Sequence, residues 1–348
     1  SLAWRMDQED FIKNLNVFSN LKFRVSYGVT GNDQVGNYEA LALMANTHLT
    51  FDGSTNTSGT HINSNNAENP GLKWESTAQY NAGFDMGFYN SRLLATIDVY
   101  YKKTSDLLLS QPLPIYSGYT TMISNVGDME NKGFELELTS RNFIDEFKWD
   151  TKFSYSMNRN KVTNLGGTGA DIYLGTSKPM GNVSEESFAV IREGETLGSL
   201  FGYEYIGVMQ TGETYAPQPN SKPGDPKFAD ISGPNGVPDG KITSDDRTII
   251  GRAYPKAVLG LTNTFSYKNF DLTNFWYAAL GQDMLNMNNM NLEWNRTTDA
   301  LNRWTTTNTE TDIPRNGFYY SKYGGYTNSK NNKKASFLRM KTLTFGYT

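Results

Sequence analysis

The densest chemistry in the sequence lies in Asp230-Ile231-Ser232-Gly233-Pro234-Asn235-Gly236-Val237-Pro238-Asp239-Gly240-Lys241-Ile242-Thr243-Ser244-Asp245-Asp246. Its second half has the order of a calcium loop: an acid, a glycine, a backbone-carbonyl position, an isoleucine and a further acid. Asn235, Asp239, the Lys241 carbonyl and Asp246 are the oxygens such a loop would offer a structural calcium. The first half lacks the regular acidic spacing, and the closing residue is Asp rather than the bidentate Glu. A turn-rich loop without metal is the competing reading.

Aromatic residues form a second group. Tyr116, Tyr119, Tyr203 and Tyr205 fall in polar connections, and Phe318, Tyr319, Tyr320, Tyr323 and Tyr326 crowd one short stretch. A tyrosine offers an apolar face and a hydroxyl, which suits stacking on a sugar or peptide, or docking a partner. Packing of the connections on one another is an equal alternative.

Other chemistry is sparse. His48 and His61 are the only histidines, thirteen residues apart, with no carboxylate spacing that makes a metal site. There is no Gly-x-Ser-x-Gly elbow, no P-loop and no cysteine, so the sequence reads as a non-enzyme. The net charge is −4 without a basic stripe, which argues against nucleic acid as a partner.

The elements that would position these groups are long alternating strands. Ala78, Tyr80, Ala82, Phe84, Met86 and Phe88 share one parity; Gln79, Asn81 and Asp85 share the other. After Tyr89-Asn90-Ser91-Arg92 the pattern returns, with Leu93, Ala95, Ile97, Val99 and Tyr101 against Thr96, Asp98 and Lys102. Period-two alternation marks a strand with one apolar and one polar face. Strands in soluble proteins average about 5–6 residues, whereas a tilted membrane-spanning strand needs about 9–11. Segments at 21–29, 133–139, 147–157, 257–267, 270–278 and the last residues repeat the alternation. Mean hydropathy is −0.57, as expected where only every second residue meets lipid. Aromatics near strand ends (Tyr101, Trp149, Tyr155, Tyr267, Trp276, Tyr277) fit interfacial girdles.

Short turns at 89–92, 141–146 and 268–269 alternate with long connections at 30–71, 104–124, 165–255 and 281–334. The pattern predicts an all-β chain: part of a large antiparallel up-and-down transmembrane β-barrel with short periplasmic turns and long extracellular loops. Residues 165–255 are a long extracellular loop insertion with structure of its own. The lumen-facing set is then Gln79, Asn81, Asp85, Asp98, Lys148, Asp150 and Lys152, mixed in sign and suited to neutral or zwitterionic cargo. The alternative is a soluble or surface-exposed all-β module that binds glycans or acts as an adhesin.

Four ordered motifs carry a resemblance. They are Leu21-Lys22-Phe23-Arg24-Val25-Ser26-Tyr27-Gly28-Val29-Thr30-Gly31-Asn32; Asn69-Pro70-Gly71-Leu72-Lys73-Trp74-Glu75; Asn125-Val126-Gly127-Asp128-Met129-Glu130-Asn131-Lys132-Gly133-Phe134-Glu135-Leu136; and Pro238 to Ile242 followed by Asp246-Arg247-Thr248-Ile249-Ile250-Gly251. Together they make the chain similar to the C-terminal barrel half of SusC/RagA-type TonB-dependent outer-membrane transporters. The resemblance implies a 22-stranded barrel in the cell outer membrane, in contact with outer-membrane lipid. It implies a plug and TonB box upstream, a TonB partner, a SusD-like lipoprotein lid, and active uptake of an oligosaccharide or, second, a peptide. Residues 1–348 would be a partial barrel lacking plug and last strands. Asn69-Pro70-Gly71 is expected to form a turn, and Asn131-Lys132-Gly133 a tight turn or bulge that launches a strand.

Overall fold

The alternating segments form nine strands in a computed structural model that describes residues 1–33, 36–50, 56–166, 169–177, 186–286, 298–315 and 326–348. They are β1 (Leu2–Arg5), β2 (Phe18–Asn32), β3 (Glu75–Phe88), β4 (Leu93–Ser105), β5 (Asp128–Ile144), β6 (Phe147–Asn164), β7 (Ala257–Tyr267), β8 (Phe270–Leu280) and β9 (Phe337–Tyr347). All nine join one open sheet in sequence order. Every neighbouring pair is antiparallel.

Register keeps the two faces separate across the sheet. Phe23 lies opposite Phe84, Phe84 opposite Ile97, Ile97 opposite Leu136 and Leu136 opposite Tyr155. One position along, Lys22 lies opposite Asp85, Asp85 opposite Thr96, Thr96 opposite Glu137 and Glu137 opposite Ser154. The apolar face is left open: Val25, Tyr27, Tyr80, Phe84 and Val99 are between 39% and 58% exposed. A soluble sandwich would bury such a face against a second sheet; a barrel turns it to lipid.

Aromatic pairs sit at both ends of the apolar face. Phe143 packs on Trp149 and Trp149 on Phe265 near the short turns, while Tyr27, Tyr80 and Tyr101 form a row near the long connections. Three of the expected girdle residues lie elsewhere. Tyr155 is mid-strand, between Leu136 and Leu259. Trp276 is mid-strand opposite Leu261, and Tyr277, opposite Gly260, falls on the other face.

Turns and long connections segregate as the sequence predicts. Tyr89, Asn90 and Ser91 all take positive φ, 53°, 54° and 62°, to reverse β3 into β4. The turn expected at 141–146 shrinks to Asp145-Glu146, because β5 continues to Ile144 through an irregularity at Arg141/Phe143. The connection from β1 to β2 lies at this same end and holds a 3-10 turn, Met6–Gln8, and a short helix, Asp10–Lys13.

The Asn131-Lys132-Gly133 expectation is corrected. These residues lie inside β5, and the irregularity falls at Asp128/Met129 instead. Gly133 is opposite Tyr100. A Cβ there would come 2.1 Å from Tyr100 Cζ, so the glycine exists to let a neighbouring ring lie against the strand. Asn69-Pro70-Gly71 is a turn, closed by the Asn69 Oδ1, which accepts the Gly71 N–H at 3.1 Å.

The tightest packing lies in the long connections. Asn66–Ala67, Thr121–Asn125 and Leu108–Pro112 make a three-stranded sheet that ties the β2–β3 connection to the β4–β5 connection. Within 165–256, Ile172–Ser177, Glu186–Ile191, Ser199–Tyr203 and Arg247–Gly251 form a four-stranded sheet. Val162, Leu165, Ile172 and Ile191 make one buried cluster; Tyr203, Phe228 and Ile242 make another.

Candidate functional site

The polar face of the sheet holds one conspicuous ionic network. From β2, Arg24 reaches Asp85 on β3 through Nε and Nη2, at 2.8 and 3.0 Å, and Asp98 on β4 through Nη2 at 3.0 Å. The Lys22 ammonium stands 4.0 Å from Asp85, and the Thr96 hydroxyl donates to Asp85 Oδ1. Gly83 makes the bridge geometrically feasible: a Cβ there would stand 2.3 Å from Asp98 Oδ1 and 3.0 Å from Arg24 Nη2. A planar guanidinium that bridges two carboxylates fixes their positions far better than an ammonium would.

The seven residues expected on the lumen side all occupy this polar face. Gln79, Asn81, Asp85 and Asp98 surround the Arg24 network. Lys148, Asp150 and Lys152 lie toward the short turns, opposite Ser266, Thr264 and Thr262. Arg24 itself was not singled out from the sequence. Its position in the polar register of Leu21–Val29 was the available signal, but its two partners lie on other strands.

The connections form a second candidate surface. The β6–β7 and β8–β9 connections pack into one body. Tyr203 stacks on Tyr326 at 4.3 Å and 11°, with Phe228 at 5.6 Å from Tyr203 and 5.7 Å from Tyr326. Asp225, almost fully buried, accepts from Arg315 Nε at 2.8 Å and from the Lys222 N–H at 2.9 Å. The Trp304 indole donates to Gln210 Oε1 at 3.1 Å, across the same seam. Lys227 bonds Glu213 at 2.5 Å; together with the Gln210 N–H it holds the Glu213 carboxyl below its ordinary range, against a smaller opposing effect of burial. Asp171 pairs Arg192 in a fork and raises the guanidinium pKa.

These contacts sort the aromatic candidates. Tyr203 is 2% exposed, and its role is to pack the loop body, not to touch a ligand. Tyr326 packs on it, and the Tyr205 hydroxyl donates to the Asp312 carbonyl at 2.5 Å. Tyr119 is half-buried, whereas Tyr116 is 92% exposed. Phe318, Tyr319, Tyr320 and Tyr323 lie outside the described residues.

The calcium reading meets a different use of the same acids. Asp246 is fully buried; its Oδ1 accepts the Ile231 and Ser232 N–H groups at 2.9 and 3.1 Å, and its Oδ2 accepts the Thr243 N–H at 2.8 Å. Asp239 Oδ1 accepts the Lys241 N–H, and Asp230 accepts the Asp239 and Gly240 N–H groups. Asn235, Asp239 and Lys241 are exposed, on the solvent side of the loop from Asp246. Among the described residues no three acidic or histidine side chains gather as a metal group. The Asp246 and Asp230 oxygens are engaged by backbone N–H groups, which holds the loop in its turn-rich form.

Comparison with known proteins gives a consistent picture. Residues 1–233 match the family described as TonB dependent receptor-like, beta-barrel. TonB-dependent receptor P3 of Formosa agariphila is 37% identical over 355 residues, covering 100% of this chain and 34% of that protein. TonB-dependent receptor SusC of Bacteroides thetaiotaomicron is 30% identical over 359 residues, covering 100% of this chain and 33% of that protein. Among solved structures, the RagAB peptide transporter superposes with a TM-score of 0.78 at 27% identity, over 99% of this chain and 36% of that one. The chain thus spans about a third of the length of the curated relatives it matches.

Proposed function

This chain belongs to the TonB-dependent receptor-like β-barrel family, of SusC/RagA type, and on that premise we propose that it is part of the wall and outer loops of an outer-membrane importer. The observation that carries the proposal is the two-faced sheet. One face is apolar through its middle and largely open, and the other is polar and organised around Arg24, Asp85 and Asp98. In the cell outer membrane the first face meets lipid and the second lines the lumen, with Gln79, Asn81, Lys148, Asp150 and Lys152 along it. The soluble-module alternative leaves the open apolar face without a purpose.

The cargo in this reading is a neutral oligosaccharide. Around the Arg24 network the polar face is rich in amides and hydroxyls: Gln79, Asn81, Tyr100, Asn131, Asn158 and Ser156. Such groups match the donors and acceptors of a sugar without requiring charge. Within the network Arg24 and Lys22 face Asp85 and Asp98, so those charges offset one another. A peptide is the second reading, favoured by the likeness to a peptide transporter. The whole protein would draw energy from TonB and work with a SusD-like lipoprotein over the loop bodies, where exposed Tyr116 is available for contact.

Deletion of the full gene, with growth and uptake measured on oligosaccharide and peptide panels, tests this. Loss confined to oligosaccharides supports the first reading. Loss confined to peptides replaces it with the second, and no loss on either panel overturns both.

A further inference from the structure

The apolar face of the wall changes character just above its tyrosine row. The Tyr27 and Tyr80 rings lie 4.8 Å apart, tilted by 39°, and Tyr80 and Tyr101 lie 6.4 Å apart. The same row continues into cations: Tyr101 is opposite Lys132, and Lys132 is opposite Arg159. The next row toward the long connections holds Lys103 opposite Glu130 and Glu130 opposite Lys161. Register parity puts all of these with Val99, Phe134 and Met157, on the apolar face. Lys103, Lys132, Arg159 and Lys161 are exposed. Directly opposed residues have Cβ atoms roughly 4.5–5.5 Å apart, so four cations surround a single carboxylate. Glu130 bonds Lys132 at 3.1 Å and accepts from the Tyr101 hydroxyl at 3.3 Å, and Lys132 lies over the Tyr101 ring at 5.5 Å. One ion pair leaves the patch strongly positive.

Beside the patch, across β1 to β4, is a groove of about 710 Å³ lined by Leu2, Val25, Tyr27, Tyr80, Ala82, Val99 and Tyr101, and its tyrosine row leads sideways into Lys132 and Arg159. Its walls are mostly apolar, and Tyr101 belongs both to its lining and to the floor of the cation cluster. An apolar trough that runs into a set of Lys and Arg side chains has the shape of an amphiphile with an anionic head.

We propose that this stretch of the outer wall binds a membrane lipid whose headgroup carries phosphate. The acyl chains lie in the Val25–Ala82–Val99 groove, and the phosphate is held by Lys132 and Arg159, with Lys103 and Lys161 above. The proposal rests on the barrel reading, since only a lipid-facing wall presents this surface to a bilayer. Arg159 takes the phosphate oxygens through its fork, and the lysines act as point charges. Snorkelling of cations to a generic interface would give no preference for phosphate; the cluster predicts one.

The test uses the full-length transporter in nanodiscs of phosphatidylcholine with a minority of phosphatidic acid. Native mass spectrometry reads the lipids retained by the protein. The expected result is several-fold enrichment of phosphatidic acid over its share of the disc, lost in Lys132→Gln/Arg159→Gln and weakened in Lys103→Gln/Lys161→Gln. Lys268→Gln, at the opposite end of the wall, should retain the enrichment. Inorganic phosphate added in excess should fail to displace the lipid; displacement would mean a soluble-anion site and overturn the proposal. Protein that inserts and shows no enrichment, or variants that enrich as wild type does, overturn it alone. Protein that does not enter discs overturns the barrel reading as well.

Discussion

Tyr203 and Tyr326 stack ring on ring at 4.3 Å although they come from two different long connections. The contact makes those connections one body above the wall. Tyr203→Ala removes a ring that is almost fully buried, a loss on the order of 3 kcal/mol. Hydrogen exchange should show faster exchange throughout Ser199–Val208 and around Thr327. The wall strands should keep their protection, and a uniform rise across both would contradict a separately packed loop body.

The Asp225–Arg315 pair crosses the same seam. Asp225 is buried, so Arg315→Met leaves a carboxylate with an unmatched charge, at a cost of about 3 kcal/mol. Asp225→Asn/Arg315→Met should recover part of that loss. Thermal unfolding of the loop body, followed by limited proteolysis, checks the order of the three variants.

On the polar face, Gly83→Ala would push a methyl group into Asp98 and Arg24. The wall should lose about 1–3 kcal/mol as the bridge is displaced. Gly28→Ala, which meets nothing within 4 Å, is the matched control and should change stability little. Equal effects for the two would show that strand propensity, and not the bridge, is being measured.

Acid should loosen the loop body through Glu213. Lys227 and the Gln210 N–H hold its carboxyl below the ordinary value. A carboxyl lowered in the folded state adds stability that is present above the unfolded value, about 4.3. That stability is lost as pH falls through the lower folded value. Glu213→Gln should therefore flatten the acid limb of stability against pH while leaving its shape near neutrality unchanged. An unaltered acid limb would count against the pair.

Calcium should leave the Asp230–Asp246 loop unaffected, because backbone N–H groups occupy the Asp246 oxygens. Melting temperature with calcium or with a chelator should be the same, and Asp246→Asn should lower it in both. A calcium-dependent rise in the wild type would restore the metal reading.

The wall was legible in the sequence because lipid and water impose period two on every strand. The parity of Phe84, Asp85 and their neighbours survives intact in the register. What stayed hidden depended on partners distant in the chain. Arg24 looked like one polar residue among several until β3 and β4 brought Asp85 and Asp98 to it. Gly133 looked like a turn because the ring it accommodates, Tyr100, belongs to another strand. Asp246 carried two readings in the sequence because a carboxylate presents the same oxygens to a cation and to peptide N–H groups, and the three N–H groups that reach it come from residues the sequence alone does not bring together. Tyr203 looked like a ligand contact because exposure cannot be read from residue type.

The register of the wall also limits how this chain can change in length. Inserting or deleting one residue within Glu75–Phe88 would exchange its two faces, sending Asp85 to lipid and Phe84 to water. Only places where the pairing already slips, such as Phe18/Asn20, Arg141/Phe143 and Phe275/Trp276, offer an offset. Insertions and deletions are thereby channelled into the long connections, so lineages of this fold can diversify what they present to the outside while the strands that hold those surfaces up keep a fixed count.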